Sequence, residues 1–229
     1  MNDPRISVVI PVYNGLESLP VALASIDRQR YPNMQTILVN DGSTDGSGAF
    51  IDALPNVVAI HQENRGIPAA RNAGLMVADG DFVTLLDQDD YWHDGKLRLQ
   101  LDAFARQPDL EFVLGSWVHE LKSGASAPAW ATEKYFDGAK PGWVFGTMMA
   151  RRELFDRIGY LDESRIWGGD DVDWFARAVN HGVANDVLPD VVLTRIVHDT
   201  NHSRKTRQAN AELLQVIRQK VKVQRTDEG

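Results

Sequence analysis

Phe82-Val83-Thr84-Leu85-Leu86-Asp87-Gln88-Asp89-Asp90 decides how this chain is read, because an apolar strand stops there against three carboxylates within four positions. Crowded like charges repel unless something cationic sits among them. Carboxylate oxygens suit a hard divalent ion, Mg²⁺ or Mn²⁺, and such ions commonly keep open positions for substrate phosphates. The structural alternative is an exposed Asp-rich turn capping the helix expected from Asp94. On extended chain alternate side chains share a face, so Asp87 and Asp89 converge only if the strand runs on. If the chain turns, one carboxylate takes the metal and the other a ribose or a metal-bound water; Asp89 is the expected metal ligand. The pattern points to an enzyme of nucleotide diphosphates.

Outward from this stretch, apolar strands near 5–11, 35–40, 57–61 and 81–86 alternate with amphipathic helices near 16–29, 45–53, 67–78 and 94–106. That rhythm predicts an α/β fold with a mostly parallel sheet and right-handed crossovers. Ligands of such sheets bind beyond the carboxyl ends of the strands, so Pro11-Val12-Tyr13-Asn14, Asn40-Asp41-Gly42-Ser43 and the Asp-rich stretch belong to one rim. The second half is less regular. It predicts strands near 110–118, 143–149 and 185–193, a loop over 119–141, and helices near 151–157, 170–181 and 205–223.

The 229 residues suffice for one large domain. The formal charge of −8 repels polyanions, which argues against a nucleic-acid partner and requires local devices to hold a nucleotide. The absence of cysteine removes thiolate metal sites and thiol nucleophiles. No apolar run approaches the ~18 residues of a membrane span, and Met1-Asn2-Asp3-Pro4-Arg5 lacks the layout of a signal peptide. The expectation is a soluble cytoplasmic protein. Residues 204–225 carry seven Lys or Arg against one acid, with Leu213, Leu214, Ile217 and Val221 in a stripe. A basic amphipathic helix of this kind either rests on the anionic inner face of a membrane or packs on its own domain.

Each rim motif offers specific chemistry. Tyr13 and Asn14 follow a buried strand and present a ring and an amide where a base stacks, although a packed tyrosine is the commoner outcome. In Asp41-Gly42-Ser43-Thr44-Asp45 the glycine permits a tight turn and Thr44 or Asp45 suffices as a cap, which leaves the Asp41 carboxylate for a base or ribose. Arg71, in the Ala-rich Ala69-Ala70-Arg71-Asn72-Ala73-Gly74, either reaches a nucleotide or pairs with an acid.

Val9-Ile10-Pro11-Val12-Tyr13-Asn14, Val39-Asn40-Asp41-Gly42-Ser43-Thr44-Asp45, Asn64-Arg65-Gly66 with Ala70-Arg71-Asn72, and Leu86-Asp87-Gln88-Asp89-Asp90 resemble, in order and spacing, the motifs of family 2 glycosyltransferases of the GT-A fold. The resemblance implies a Rossmann-like single domain and a metal-dependent, inverting transfer of a hexose from a nucleotide sugar, UDP-hexose by its base-binding motif, to a glycan or lipid-linked acceptor. It implies that Pro11, Val12, Tyr13, Asn14, Asp41 and Arg71 line the nucleotide, with Asp87 and Asp89 as the Asp-x-Asp element around Mn²⁺ or Mg²⁺. It divides the chain into a nucleotide-binding half (1–92), an acceptor half (93–203) and the basic helix and tail (204–229).

Trp167-Gly168-Gly169-Asp170-Asp171-Val172-Asp173-Trp174 supplies the acceptor side. The glycines let a loop approach a ligand, and acids in a first helical turn ordinarily serve the dipole, which accounts for Asp170 and Asp173. An apolar stripe of Val172, Phe175, Ala176 and Val179 leaves Asp171 on the flank, ionised and able to meet an acceptor hydroxyl. The segment resembles both the Glu-Asp motif of family 2 and the Trp-Gly-Gly-Glu-Asp motif of galactosyl- and N-acetylgalactosaminyltransferases. By that likeness Asp171 is the base, Trp167, Gly169 and Asp170 face the sugars, and Asp170 stands where Glu is usual. His198 matches the histidine that in related enzymes approaches the metal or diphosphate, while His202 is a bystander. Two rivals remain: a sugar-phosphate nucleotidyltransferase, whose Gly-rich basic loop after the first strand is absent here, and a non-catalytic carbohydrate-binding protein on the same fold.

Overall fold

The computed structural model describes residues 3–128, 131, 133–165 and 169–199. Trp130, Trp167, Gly168, His202 and the basic segment 204–229 lie outside them. One eight-stranded sheet organises the chain, in the order β3 (Val57–Gln62), β2 (Met34–Asp41), β1 (Ile6–Val12), β4 (Phe82–Leu85), β7 (Met149–Arg151), β6 (Phe112–Leu121), β8 (Asn185–Val197) and β5 (Tyr91–Trp92). Strands β3, β2, β1 and β4 run parallel, joined by α1 (Leu19–Asp27), α2 (Ser47–Asp52) and α3 (Ile67–Val77). β7 is antiparallel to both its neighbours, and β6 returns parallel to β8. Chain order reverses between β1 and β4, so a crevice opens beyond their carboxyl ends.

β1 is buried along its whole length and feeds cores on both sides of the sheet. Ile6, Val8, Ile10 and Val12 pack with Leu19 and Ile26 of α1 and with Leu97 and Phe104 of α4 (Lys96–Arg106). Val9 points the other way, toward Ala70 and Leu75 of α3 and Phe155 of α6 (Glu153–Ile158). Alternation at period two explains the division, and each such buried side chain contributes about 1.5–3 kcal/mol of transfer free energy. Gly74 is needed on α3 because a Cβ there would run into Val9. Among the described residues no helix is long and apolar enough to cross a membrane.

The second half departs from the sequence reading in three places. The strand expected over 143–149 is a 3-10 turn, Phe145–Thr147, followed by the short β7. Thr147 turns its hydroxyl onto the carbonyls of Gly142 and Val144, an alternative to ladder pairing. A helical turn, α5 (Glu133–Phe136), interrupts the expected loop. In α7 (Asp170–Asn180) the buried face is Asp170, Trp174, Phe175 and Ala178, while Val172 and Val179 are exposed. Trp174 sets that rotation: its ring stacks on Phe155 and its Nε1 donates to the Gly159 carbonyl at 3.1 Å.

Candidate active site

A cleft of about 850 Å³ opens over the β1/β4 crevice and extends to α7 and the end of β8. Its size suits a small-molecule or cofactor ligand. Pro11, Val12, Tyr13, Asn14, Asp41, Arg71, Asp87, Asp89, Gly169, Asp170, Asp171 and His198 all line it, so the two halves of the chain share one cavity.

On the β1 side, Tyr13 exposes its ring while its backbone is clamped: its N–H donates to Gln88 Oε1 at 2.9 Å and its carbonyl accepts from Gln88 Nε2 at 3.0 Å. Gly15 leaves room for that amide. Asn14 takes a positive φ of 49°, tolerable for asparagine. Its Oδ1 accepts from the Thr44 N–H at 2.8 Å, which joins the loops after β1 and β2. Asp41 has structural work that the sequence reading did not assign. Its buried carboxylate accepts from Gln62 Nε2 (2.8 Å), Arg65 N–H (2.8 Å) and Gly66 N–H (2.9 Å), fixing the entrance to α3. A carboxylate has about four acceptor sites, so little capacity is left for a base or ribose.

The chain turns after β4, with the Asp90 N–H bonded to the Asp87 carbonyl at 3.1 Å. The turn separates the carboxylates. Asp87 Oδ1 meets Arg71 NH2 at 2.5 Å, and Arg71 NH1 meets Asp170 Oδ2 at 2.6 Å. Of the two roles open to Arg71, pairing with acids is thus the one its guanidinium performs, and it spans the sheet and α7 while buried. Asp170 is buried on the inner face of α7 with its carboxylate on Arg71, and it still lines the cleft. Asp89 Oδ2 faces His198 Nε2 at 2.8 Å. The two-residue β5 arranges this contact: it pairs with Thr194 and Leu193 of β8, and Asp90 Oδ1 accepts the Ile196 N–H at 2.9 Å, so the end of β8 is drawn onto the turn. Burial, then the neighbouring Asp89, pushes the Asp90 carboxyl well above the ordinary range.

Asp171 sits one step round α7 from Asp170. Burial raises its carboxyl, the Asp170 charge adds to that, and Arg71 and the Val172 N–H oppose it, leaving it pushed up to about 6. A carboxylate so poised is ionised at neutral pH yet basic enough to take a proton. The sequence reading left Arg195, Asp90 and Phe145 without a role in this cleft. A charged residue inside Leu193-Thr194-Arg195-Ile196-Val197 was the available signal for the first of them.

Residues 7–159 match the family model "Glycosyl transferase family 2". The chain belongs to that family. It is 35% identical over 136 residues to the glycosyltransferase GlyG of Streptococcus pneumoniae, covering 57% of this chain and 45% of that protein. The amylovoran biosynthesis glycosyltransferase AmsB of Erwinia amylovora is also 35% identical over 136 residues, covering 55% and 45%. The chain thus spans less than half the length of these two relatives. Among solved structures, S. aureus TarS 1–349 in complex with UDP-GlcNAc superposes with a TM-score of 0.68 at 21% identity, covering 86% of this chain and 60% of that one. The shared fold is GT-A, and membership of family 2 sets aside the nucleotidyltransferase alternative.

A family 2 site raises the question of a divalent ion. Among the described residues no three His, Asp or Glu side chains converge on one point. Two do, and their spacing fits: adjacent ligands of a six-coordinate ion at ~2.1 Å stand about 3 Å apart, and Asp89 Oδ2 and His198 Nε2 are 2.8 Å apart. One carboxylate and one imidazole leave the remaining positions to phosphate oxygens and water, a donor set suited to Mg²⁺ or Mn²⁺.

Breaking the central bridge has a measurable cost. Asp170→Ala leaves buried Arg71 with one acid in place of two, and removing one partner of a buried pair costs about 3–5 kcal/mol. Urea unfolding of the variant should show a midpoint lowered accordingly, whereas a change within about 0.5 kcal/mol would show that the bridge is not what holds the two halves.

Proposed function

We propose that this protein is an inverting, metal-dependent hexosyltransferase that moves a sugar from a UDP-hexose to a hydroxyl of a glycan or lipid-linked acceptor. The observation that carries the reading is the placement of Asp171, raised to about 6, in the same cleft as the Asp89/His198 pair. Support for a uridine nucleotide comes from the family 2 match over the nucleotide half and from the UDP-GlcNAc bound by TarS on this fold. The Gly169-Asp170-Asp171 sequence after Trp167 favours galactose or its N-acetyl relative as the sugar.

In this mechanism the nucleoside occupies the rim of Pro11, Val12, Tyr13 and Asn14, while Asp41, also at the rim, holds the entrance to α3 beneath it. Asp89 and His198 would hold a divalent ion, which supplies positive charge to the departing diphosphate. Asp171 accepts the proton of the acceptor hydroxyl while that oxygen bonds to the anomeric carbon from the face opposite the diphosphate. The carbon–oxygen bond to phosphate breaks with both electrons leaving on UDP, and configuration inverts. Arg71 keeps Asp171 from rising further, since its charge favours the ionised carboxylate. It also fixes Asp87 at the rim.

The catalytic role of Asp171 is tested with a UDP-sugar panel that includes UDP-galactose, UDP-N-acetylgalactosamine and UDP-GlcNAc, with Mn²⁺ present. Asp171→Asn should lower turnover by roughly 10²–10⁴-fold while sparing UDP affinity; near-normal turnover would remove Asp171 as the base. A carboxyl raised to about 6 is ionised only above that value. For the wild type kcat/KM should therefore fall about tenfold per pH unit below about pH 6, and a rate that stays flat down to pH 5 would contradict the assignment.

The ion's place has its own readout. Titration calorimetry should show that Mn²⁺ tightens UDP binding to the wild type and does nothing for Asp89→Ala. Identical titration curves for the two proteins would place any ion elsewhere.

A further inference from the structure

The cleft sets an electrostatic problem that Asp89 and His198 alone do not solve. Asp41, Asp87, Asp89, Asp90, Asp170 and Asp171 all line it, in a chain of net charge −8, and a diphosphate must enter among them. Most cations of the lining are already engaged. Arg71 is divided between Asp87 and Asp170, Lys122 pairs with Glu17 at 2.6 Å, and Arg165 pairs with Asp162 at 3.2 Å.

Arg195 is different. Among the described residues its one ion pair is a loose one, Nε to Asp90 Oδ2 at 3.5 Å, and its guanidinium lies 5.3 Å from the centre of the Trp117 ring on β6. Its two terminal nitrogens make no hydrogen bond to any described residue, and 35% of the side chain stays open. Burial works against its charge, but Asp90 and then Asp87, Asp171 and Asp89 outweigh that, so the guanidinium stays charged with acids of both halves around it. A planar guanidinium carries parallel N–H donors that match phosphate oxygens in pairs. Here Trp117 backs one face and Asp90 stands beside one edge, which lowers the cost of ordering it on a ligand.

We propose that Arg195 is a catalytic residue that grips the donor's diphosphate with its terminal nitrogens, and that Trp117 is the positioning residue beneath it. The assignment rests on the nucleotide-sugar reading given above. As the bond between the anomeric carbon and the phosphate oxygen breaks, its electron pair stays with UDP and the acceptor proton goes to Asp171. The leaving group thereby gains a charge facing a guanidinium that needs no rearrangement.

The test is calorimetric titration of the full chain with UDP, UMP and uridine in Mn²⁺, for the wild type, R195K, R195Q and W117A. The wild type should prefer UDP to UMP and uridine. R195Q should lose roughly 10–100-fold in UDP affinity with uridine affinity unchanged, a split that mere misfolding would not produce. R195K, which keeps the charge without the fork, and W117A, which keeps the fork without its platform, should fall between. If the wild type prefers UDP and R195Q keeps that preference within about twofold, the Arg195 assignment is overturned and the nucleotide-sugar reading stands. If the wild type binds UDP no better than uridine, the nucleotide-sugar reading falls and Arg195 with it.

Discussion

One buried guanidinium ties this molecule together. Arg71 reaches Asp87 at the end of β4 with one nitrogen and Asp170 at the start of α7 with another. The first acid belongs to the nucleotide rim and the second stands beside the proposed base. A guanidinium taken out of water pays heavily unless acids surround it, so the α7 terminus has one favourable position against the sheet. That position places Asp170 inward and Asp171 on the cleft. Trp174, one turn further on, locks the same rotation through its contacts with Phe155 and Gly159. The proposed catalytic geometry is therefore a by-product of satisfying one buried charge.

The same economy explains how so many carboxylates share one cleft. The turn at 87–90 separates its acids instead of stacking them, and each finds its own partner: Asp87 with Arg71, Asp89 with His198, Asp90 with Arg195 and the Ile196 N–H. Asp41 is satisfied differently, by backbone and amide donors at the entrance to α3. Among the described residues Asp171 has backbone help only from the Val172 N–H and sits near the Asp170 charge, and its carboxyl is pushed up to about 6, a range useful for proton transfer.

The first half was legible because local signals and tertiary environment agree there. Strands β1 to β4 are apolar runs bounded by turn residues, and their parallel order follows from the intervening helices. The rim motifs could be placed at strand ends before any contact was known. The second half was less legible for identifiable reasons. Residues 143–149 read as a strand, but Thr147 spends its hydroxyl on nearby carbonyls and curls the segment. The α7 stripe reads as Val172, Phe175, Ala176 and Val179, of which Phe175 does face inward, whereas the inner face begins with a charged residue, Asp170, whose partner lies 99 residues earlier in the chain. No periodicity argument reveals such a pairing. β5 is two residues long and carries no pattern of its own, yet it delivers Arg195 and His198 to the Asp turn.

The proposed transfer requires a single cleft in which a cation-held diphosphate lies between the Asp89/His198 pair and Asp171. The most direct measurement is a crystal structure of the protein with UDP and Mn²⁺. It should show the ion bound by Asp89 Oδ2, His198 Nε2 and diphosphate oxygens, the uracil against the Tyr13 rim, and the terminal phosphate directed toward the side where Asp171 waits. An ion held by other residues, or a nucleotide whose phosphates point away from Asp171, would contradict it.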